Sequence, residues 1–280
     1  MPRANLRSTL GRFAALPAFA CLFLAAPAQA QALEDDFWLQ VSGFWANVDT
    51  DVRVAPIADP DAGTEIDLES DLNLDESALL PAVFAGARLG GGFSVGAEYY
   101  SLGRDGPITL ERDIVFQDVT YPATVDVTTG FDTDVYRFTV GYAFVRNENL
   151  EIGAALGLHA TDISLSISGE GSVGGAARQI ETRRTEFLAP LPTIGLFATY
   201  EPMPRLTLGA RVDFLSLSID DYDGRLINAQ ASVAYRLFRN VGVGILYRFV
   251  DYRVDVEKTN YVGRFDYEFS GPAVFLEIGF

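Results

Sequence analysis

The chain has 280 residues, 38 of them acidic and 21 basic, for a net charge of −17. So acidic a chain has no surface suited to neutralising nucleic-acid phosphates, and binding to nucleic acid is excluded on that ground. Cys21 is its only cysteine, which excludes a disulfide framework, a thiolate metal site and a cysteine nucleophile from residues 22–280.

Residues 1–30 read as a secretory signal peptide. Arg3, Arg7 and Arg12 form a basic start, Phe13 to Ala26 is a short apolar run, and Ala28-Gln29-Ala30 is a small-residue cleavage site. Cys21 falls inside the apolar run, where a small residue in a leader is the plain reading rather than a lipid-modified one. Removing the leader takes away three basic residues and leaves residues 31–280 as one domain carrying −20. No segment there has the roughly 20 consecutive apolar residues of a membrane helix.

Alternation with a period of two runs through the rest of the chain. It predicts ten strands: Phe37 to Val48, Leu79 to Leu89, Phe93 to Leu102, Asp134 to Val145, Leu150 to Ser166, Thr185 to Tyr200, Leu206 to Asp220, Arg225 to Phe238, Val241 to Val256 and Phe265 to Phe280. Eight strands remain open if the sixth and its neighbour are wrongly divided. Leu206 to Ser218 shows the pattern: Leu206, Leu208, Ala210, Val212 and Phe214 alternate with Thr207, Gly209, Arg211 and Asp213. Pro190 and Pro192 each remove a ladder donor from the sixth strand, so irregular pairing is expected there.

The connections alternate in length. Gly90-Gly91-Gly92, Arg146 to Asn149, Glu201 to Arg205 and Arg239-Asn240 are tight. Val52 to Ala78, Gly103 to Thr133, Gly169 to Arg184 and Glu257 to Arg264 are long, with Asp221 to Gly224 a short exception. Tight turns at one end and long loops at the other describe an all-β, antiparallel, up-and-down transmembrane β-barrel. Its tight turns and both termini are expected in the periplasm, and its long loops outside the cell. A soluble barrel would put the greasy faces inside. The opposite faces here are rich in Gly, Ala, Ser and Thr, which suit a crowded interior better than a solvated wall.

The signal ending Ala28-Gln29-Ala30, the aromatic-rich alternating strands and the last strand, Val274-Phe-Leu276-Glu-Ile278-Gly-Phe280, carry a resemblance to small outer-membrane β-barrel proteins of Gram-negative bacteria. The chain looks like an OmpA-type barrel without the periplasmic domain. The resemblance implies outer-membrane lipid and lipopolysaccharide as surroundings. It also implies recognition of Leu276, Ile278 and Phe280 by the barrel assembly machinery, with Ile278 standing where an aromatic is common.

Strand parity places Arg88, Glu98, Arg137, Arg211, Asp213, Arg248 and Glu277 in the lumen. The expected reading is a network of ion pairs filling a narrow barrel, since about ten strands lie near the filled end of the range. The leading expectation is therefore a non-enzymatic barrel with a structural or surface-interaction role. A narrow passive channel for small molecules is the alternative.

His159, the only histidine, should point inward near the outer end. Two outer-membrane enzyme classes use such a histidine: lipid A deacylases pair it with a serine, and omptin proteases pair it with an aspartate opposite an acidic pair. Asp132 and Asp134 are an Asp-x-Asp pair on the neighbouring strand, but on outward parity, and His159-Ala-Thr161 lacks the serine. A surface hydrolase is therefore the minor alternative, and no catalytic residue is assigned.

Asp49 to Glu76 carries ten acidic residues, Asp49, Asp51, Asp59, Asp61, Glu65, Asp67, Glu69, Asp71, Asp75 and Glu76. Asp67, Glu69, Asp71, Asp75 and Glu76 are the candidates for Ca²⁺, or for divalent bridging to lipopolysaccharide phosphates. No EF-hand spacing is present, and a solvated surface is the plainer expectation. No cofactor is otherwise implied. Leu68, Leu72 and Leu74 interleave with these acids, so the loop is expected to fold partly over the barrel mouth.

Overall fold

The computed structural model describes residues 32–56, 59, 63–174, 179–219, 222–257 and 261–280. The leader, Cys21, Asp61 and Lys258 lie outside the described residues. After a 3₁₀ turn at Ala32–Glu34, the strands in chain order are β1 Phe37–Pro56, β2 Glu65–Asp67, β3 Ser77–Gly90, β4 Phe93–Thr109, β5 Ile114–Phe116, β6 Val119–Tyr121 and β7 Asp126–Arg146. They continue with β8 Leu150–Val173, β9 Gln179–Met203, β10 Leu206–Ile219, β11 Tyr222–Arg236, β12 Val241–Glu257 and β13 Tyr261–Gly279. The three-residue strands β2, β5 and β6 belong to the long connections.

All pairings are antiparallel. Starting from β8 they run β7, β4, β3, β1, β13, β12, β11, β10 and β9, and β9 pairs β8 again. The hydrogen-bond pattern is cyclic and the fold is barrel-like. The first and last long strands meet along Trp38↔Gly279 to Pro56↔Tyr261.

Tight turns join the strands at one end. Gly90, Gly91 and Gly92 all have positive φ, at 84°, 59° and 87°. Three successive left-handed residues are cheap only for glycine, which is why this turn is a Gly run. At the opposite end the loops are shorter than the sequence spans suggest. β4 and β7 run on to Thr109 and Asp126, and β5 and β6 form a small hairpin that pairs with β8 at Val119↔Val173.

The proline strand keeps an unbroken register with β8, including Leu158↔Pro192 and Ala160↔Pro190. The irregularity falls on its other edge. The β9–β10 ladder ends at Phe214↔Ile194, just short of Pro192.

The apolar face changes sides along β12 and β13. On β12, Val243, Ile245 and Tyr247 face out and Gly242, Leu246 and Arg248 face in. Beyond Val250 the outward positions are Asp251, Arg253 and Asp255, while Tyr252, Val254 and Val256 are buried inside. β13 repeats this, with Val274 and Leu276 outside at the tight-turn end and Phe265, Tyr267 and Phe269 inside at the other. The outer wall therefore carries an apolar belt over its tight-turn half only. Tyr99 and Tyr136, 5.1 Å apart, mark its upper edge, and Phe93 and Tyr142, 4.9 Å apart, its lower one. Leu276 and Phe280 of the expected assembly signal lie exposed on this belt.

Candidate functional site

Inward positions stack into four layers. At the tight-turn end, the segment before β1 crosses the mouth. Leu33 N donates to Glu201 Oε1 at 3.0 Å, and Arg146 Nη2 donates to the Leu33 carbonyl at 3.3 Å. The Asp35 carboxylate pairs with Arg236, whose Nη2 also lies 3.5 Å from Glu277 Oε1. Arg88 donates to the Asp35 carbonyl and pairs with Glu151 at 3.1 Å.

Above this strap lies a polar cavity of about 210 Å³. Trp38, Gln40, Ser94, Thr207 and Ser232 are among its walls, and Arg211, Gln230 and Thr139 bound it further up.

The third layer is a chain of alternating charges. Arg248 Nη2 lies 2.6 Å from Glu98 Oε1, Arg137 Nη2 2.7 Å from Glu98 Oε2, Arg137 Nη1 3.1 Å from Asp213 Oδ2, and Arg211 Nη2 2.8 Å from Asp213 Oδ1. Arg137 and Asp213 are 3% and 1% exposed. Ionised groups so deep in a protein persist only when paired. β4 and β7 bring Glu98 and Arg137 together as direct cross-strand partners. Asp213 reaches Arg137 across the lumen from β10.

The fourth layer is apolar. Phe131 stacks on Phe265 at 5.9 Å, Phe265 on Tyr267 at 5.6 Å, and Phe269 packs against Phe44 and Tyr100. Ile66, Leu68 and Leu72 from the first long connection, and Ile114, Phe116, Val119 and Tyr121 from the β5–β6 hairpin, are buried on top of it. Arg104 threads this layer, pairing with Glu69 and donating to Thr50 Oγ1 at 2.8 Å.

The structure thus divides the seven residues that parity places inside. Glu98, Arg137, Arg211, Asp213 and Arg248 meet in one layer, while Arg88 and Glu277 sit in the mouth. Sequence reasoning misses their mouth partners Asp35, Glu151 and Arg236, although Glu151 and Arg236 have inward parity on their strands. It also misses Arg104, and names Glu69 only as a candidate Ca²⁺ ligand and not as the partner of Arg104, because both fall in segments that read as loops.

His159 points inward, opposite Arg137 and Leu191 in register, and is 1% exposed. It lies mid-barrel and not near the outer end, because β8 continues to Val173. Its Nε2 has no hydrogen-bond partner among the described residues. Asp134 sits on the outer wall, accepting a 2.7 Å bond from Tyr99 Oη, and Asp132 is exposed on the same face. The barrel wall therefore separates this acidic pair from the imidazole.

The acids of the first connection mostly serve the loop itself. Asp67 Oδ1 accepts from Glu69 N at 3.0 Å and Ser70 N at 2.7 Å. Glu69 accepts from Thr50 N at 2.9 Å, and Asp71 pairs with Arg112, which holds its carboxyl below the usual range against the opposing effect of burial. The Asp75 carbonyl accepts from Arg104 Nη1 at 3.1 Å, and the Glu76 carbonyl from Val48 N at 2.7 Å. Asp51 stands between Asp67 and Asp266 in register, and partial burial plus these carboxylates pushes it up to about 6. Among the described residues, no group of three or more His, Cys, Asp or Glu side chains is arranged to hold a metal ion.

No family model and no curated protein matches the chain. The outer-membrane protease OmpT of Escherichia coli aligns over 89% of this chain and 98% of its own, with a TM-score of 0.56 and 12% identity. The fold is an outer-membrane-type β-barrel. The toluene transporter TbuX of Ralstonia pickettii aligns over 89% of this chain and 90% of its own, but with a TM-score of only 0.38 at 11% identity. The likeness is to barrel architecture at large, and an OmpA-type relationship is not singled out by it.

Proposed function

We propose that the protein is a closed, ten-stranded barrel of the bacterial outer membrane, without a standing pore, acting as a structural and surface-contact element of the envelope. One observation carries this reading: the buried ion-pair layer lies directly beneath an apolar layer that two connections cap. Water and ions need a continuous polar path, and a packed aromatic layer denies them one. The apolar belt meets lipid, the tight turns and termini face the periplasm, and the capped end meets lipopolysaccharide and the outside. Leu276, Ile278 and Phe280 serve the assembly machinery in this reading. His159 has no catalytic role in this reading, because it is sealed beneath the apolar layer, beside carboxylates that arginines already hold.

A small-molecule passage is the second reading, and the polar cavity of about 210 Å³ favours it. In that case the cavity is the lower half of a path whose upper half opens when the capped connections move. Planar-bilayer recording of the refolded chain tests both. No unitary current steps are expected; stable steps of one size would give the lumen to the second reading.

A further inference from the structure

The charge layer begins and ends on arginine. Its order is Arg248, Glu98, Arg137, Asp213, Arg211, so three buried cations share two carboxylates. Among the described residues, no third carboxylate pairs with any of the three. The two ends do not drift apart. Arg211 on β10 and Arg248 on β12 are both direct cross-strand partners of Gln230 on β11. The chain therefore closes into a ring around the lumen, with a neutral amide between two cations at the closing position. Arg248 Nη2 donates to Gln230 Oε1 at 2.8 Å, and Nε donates to the same atom at 3.2 Å. Cations partly withdrawn from water are stabilised by a negative charge beside them.

Space for one exists. Arg211 and Gln230 both line the cavity of about 210 Å³, together with the hydroxyl side chains of Thr139, Thr207 and Ser232; Asp35, Glu151 and Glu277 line it toward the mouth, where Arg88 and Arg236 pair with them, and Arg248 lies outside its lining. We propose that the roof of this cavity, at Arg211 and Gln230, is a binding site for a small monovalent anion of halide size, which balances the third arginine of the charge layer. Arg211 supplies the cavity-side contact, being the most exposed of the three arginines at 15%. The anion replaces the carboxylate that the sequence omits at position 230. This site goes beyond the envelope role proposed above and stands whichever way the bilayer recording falls.

Two measurements decide it. Crystals of the refolded barrel grown with bromide in place of chloride are expected to show an anomalous peak on the cavity side of the Arg211 guanidinium, beside Gln230. Gln230→Glu, which supplies the missing charge, is expected to lose that peak. In detergent micelles at constant ionic strength, replacing gluconate by chloride is expected to raise the native Tm by a few degrees and leave Gln230→Glu unmoved. No peak in the native barrel, or a peak that persists in Gln230→Glu, overturns the proposal. If Gln230→Glu does not fold, the native bromide peak and chloride shift alone decide.

Discussion

Arg137 is the residue on which the interior turns. Its guanidinium holds Glu98 with one nitrogen and Asp213 with another, so it neutralises two carboxylates from opposite sides of the lumen. Removing one partner of a buried pair costs more than the pair contributes, because the remaining charge is left dry. Arg137→Met takes one partner from each of two buried carboxylates, leaving Glu98 to Arg248 alone and Asp213 to Arg211 alone. It is expected to lose about 3–5 kcal/mol of stability, read as a lower midpoint in urea unfolding from lipid vesicles. The double variant Arg137→Met with Asp213→Asn should cost less than the two single variants summed, because both remove the same pair. Strict additivity would mean that the two side chains are not coupled in the folded barrel. His159 is the contrast. It shares the Arg137 register and is 1% exposed, yet has no hydrogen bond at Nε2 among the described residues.

Among the elements, the β1–β13 seam closes the ring and carries its tightest backbone approach. The ladder is interrupted between Phe44↔Ala273 and Asn47↔Ser270 with its register unchanged, and a Cβ at Gly271 would collide with the Trp45 carbonyl oxygen. Backbone cannot step aside as a flexible side chain can. Gly271→Ala is therefore expected to cut the yield of heat-modifiable, SDS-resistant barrel sharply, while Gly106→Ala, whose Cβ would meet nothing within 4 Å, leaves it unchanged. Equal yields would show that the seam can shift register. The strands of this seam are readable in the sequence, since alternation from Phe37 and from Phe265 survives any change in what surrounds them. Their length is not. The alternation ends β1 at Val48 because Asp49, Asp51 and Arg53 look like loop. They are outward positions of a strand that has left the lipid belt, with Val52 and Val54 still buried on the inner side. The interior charges are legible by parity wherever a strand is recognisable. Arg104 and Glu69 are not, because their segments read as loops, and the pairing of Asp213 with Arg137 depends on curvature that no single strand encodes.

For the molecule as a whole, one sequence rule applied in two solvents explains the architecture. In the tight-turn half the apolar residues face out and the charges face in; in the other half the same strands carry charges outside and an aromatic core inside. The switch occurs at the level of Tyr99 and Tyr136, which in the proposed reading is where the surroundings change from hydrocarbon to water. A strand keeps its parity across that level, so the inversion must be written into the residues, as it is at Phe249 to Asp251 and at Ser270 to Pro272. This fixes where the bilayer ends and predicts a depth-dependent response to charge on one strand. Val140 and Thr128 share outward parity on β7, one inside the belt and one beyond it. Val140→Arg is expected to cost about 2–4 kcal/mol in lipid vesicles, and Thr128→Arg about 0–1 kcal/mol. The two differ only in what their outer face touches. Equal costs for both, measured by urea titration in vesicles of one composition, would remove the lipid belt from Val140 and, with it, the assignment of inside and outside on every strand.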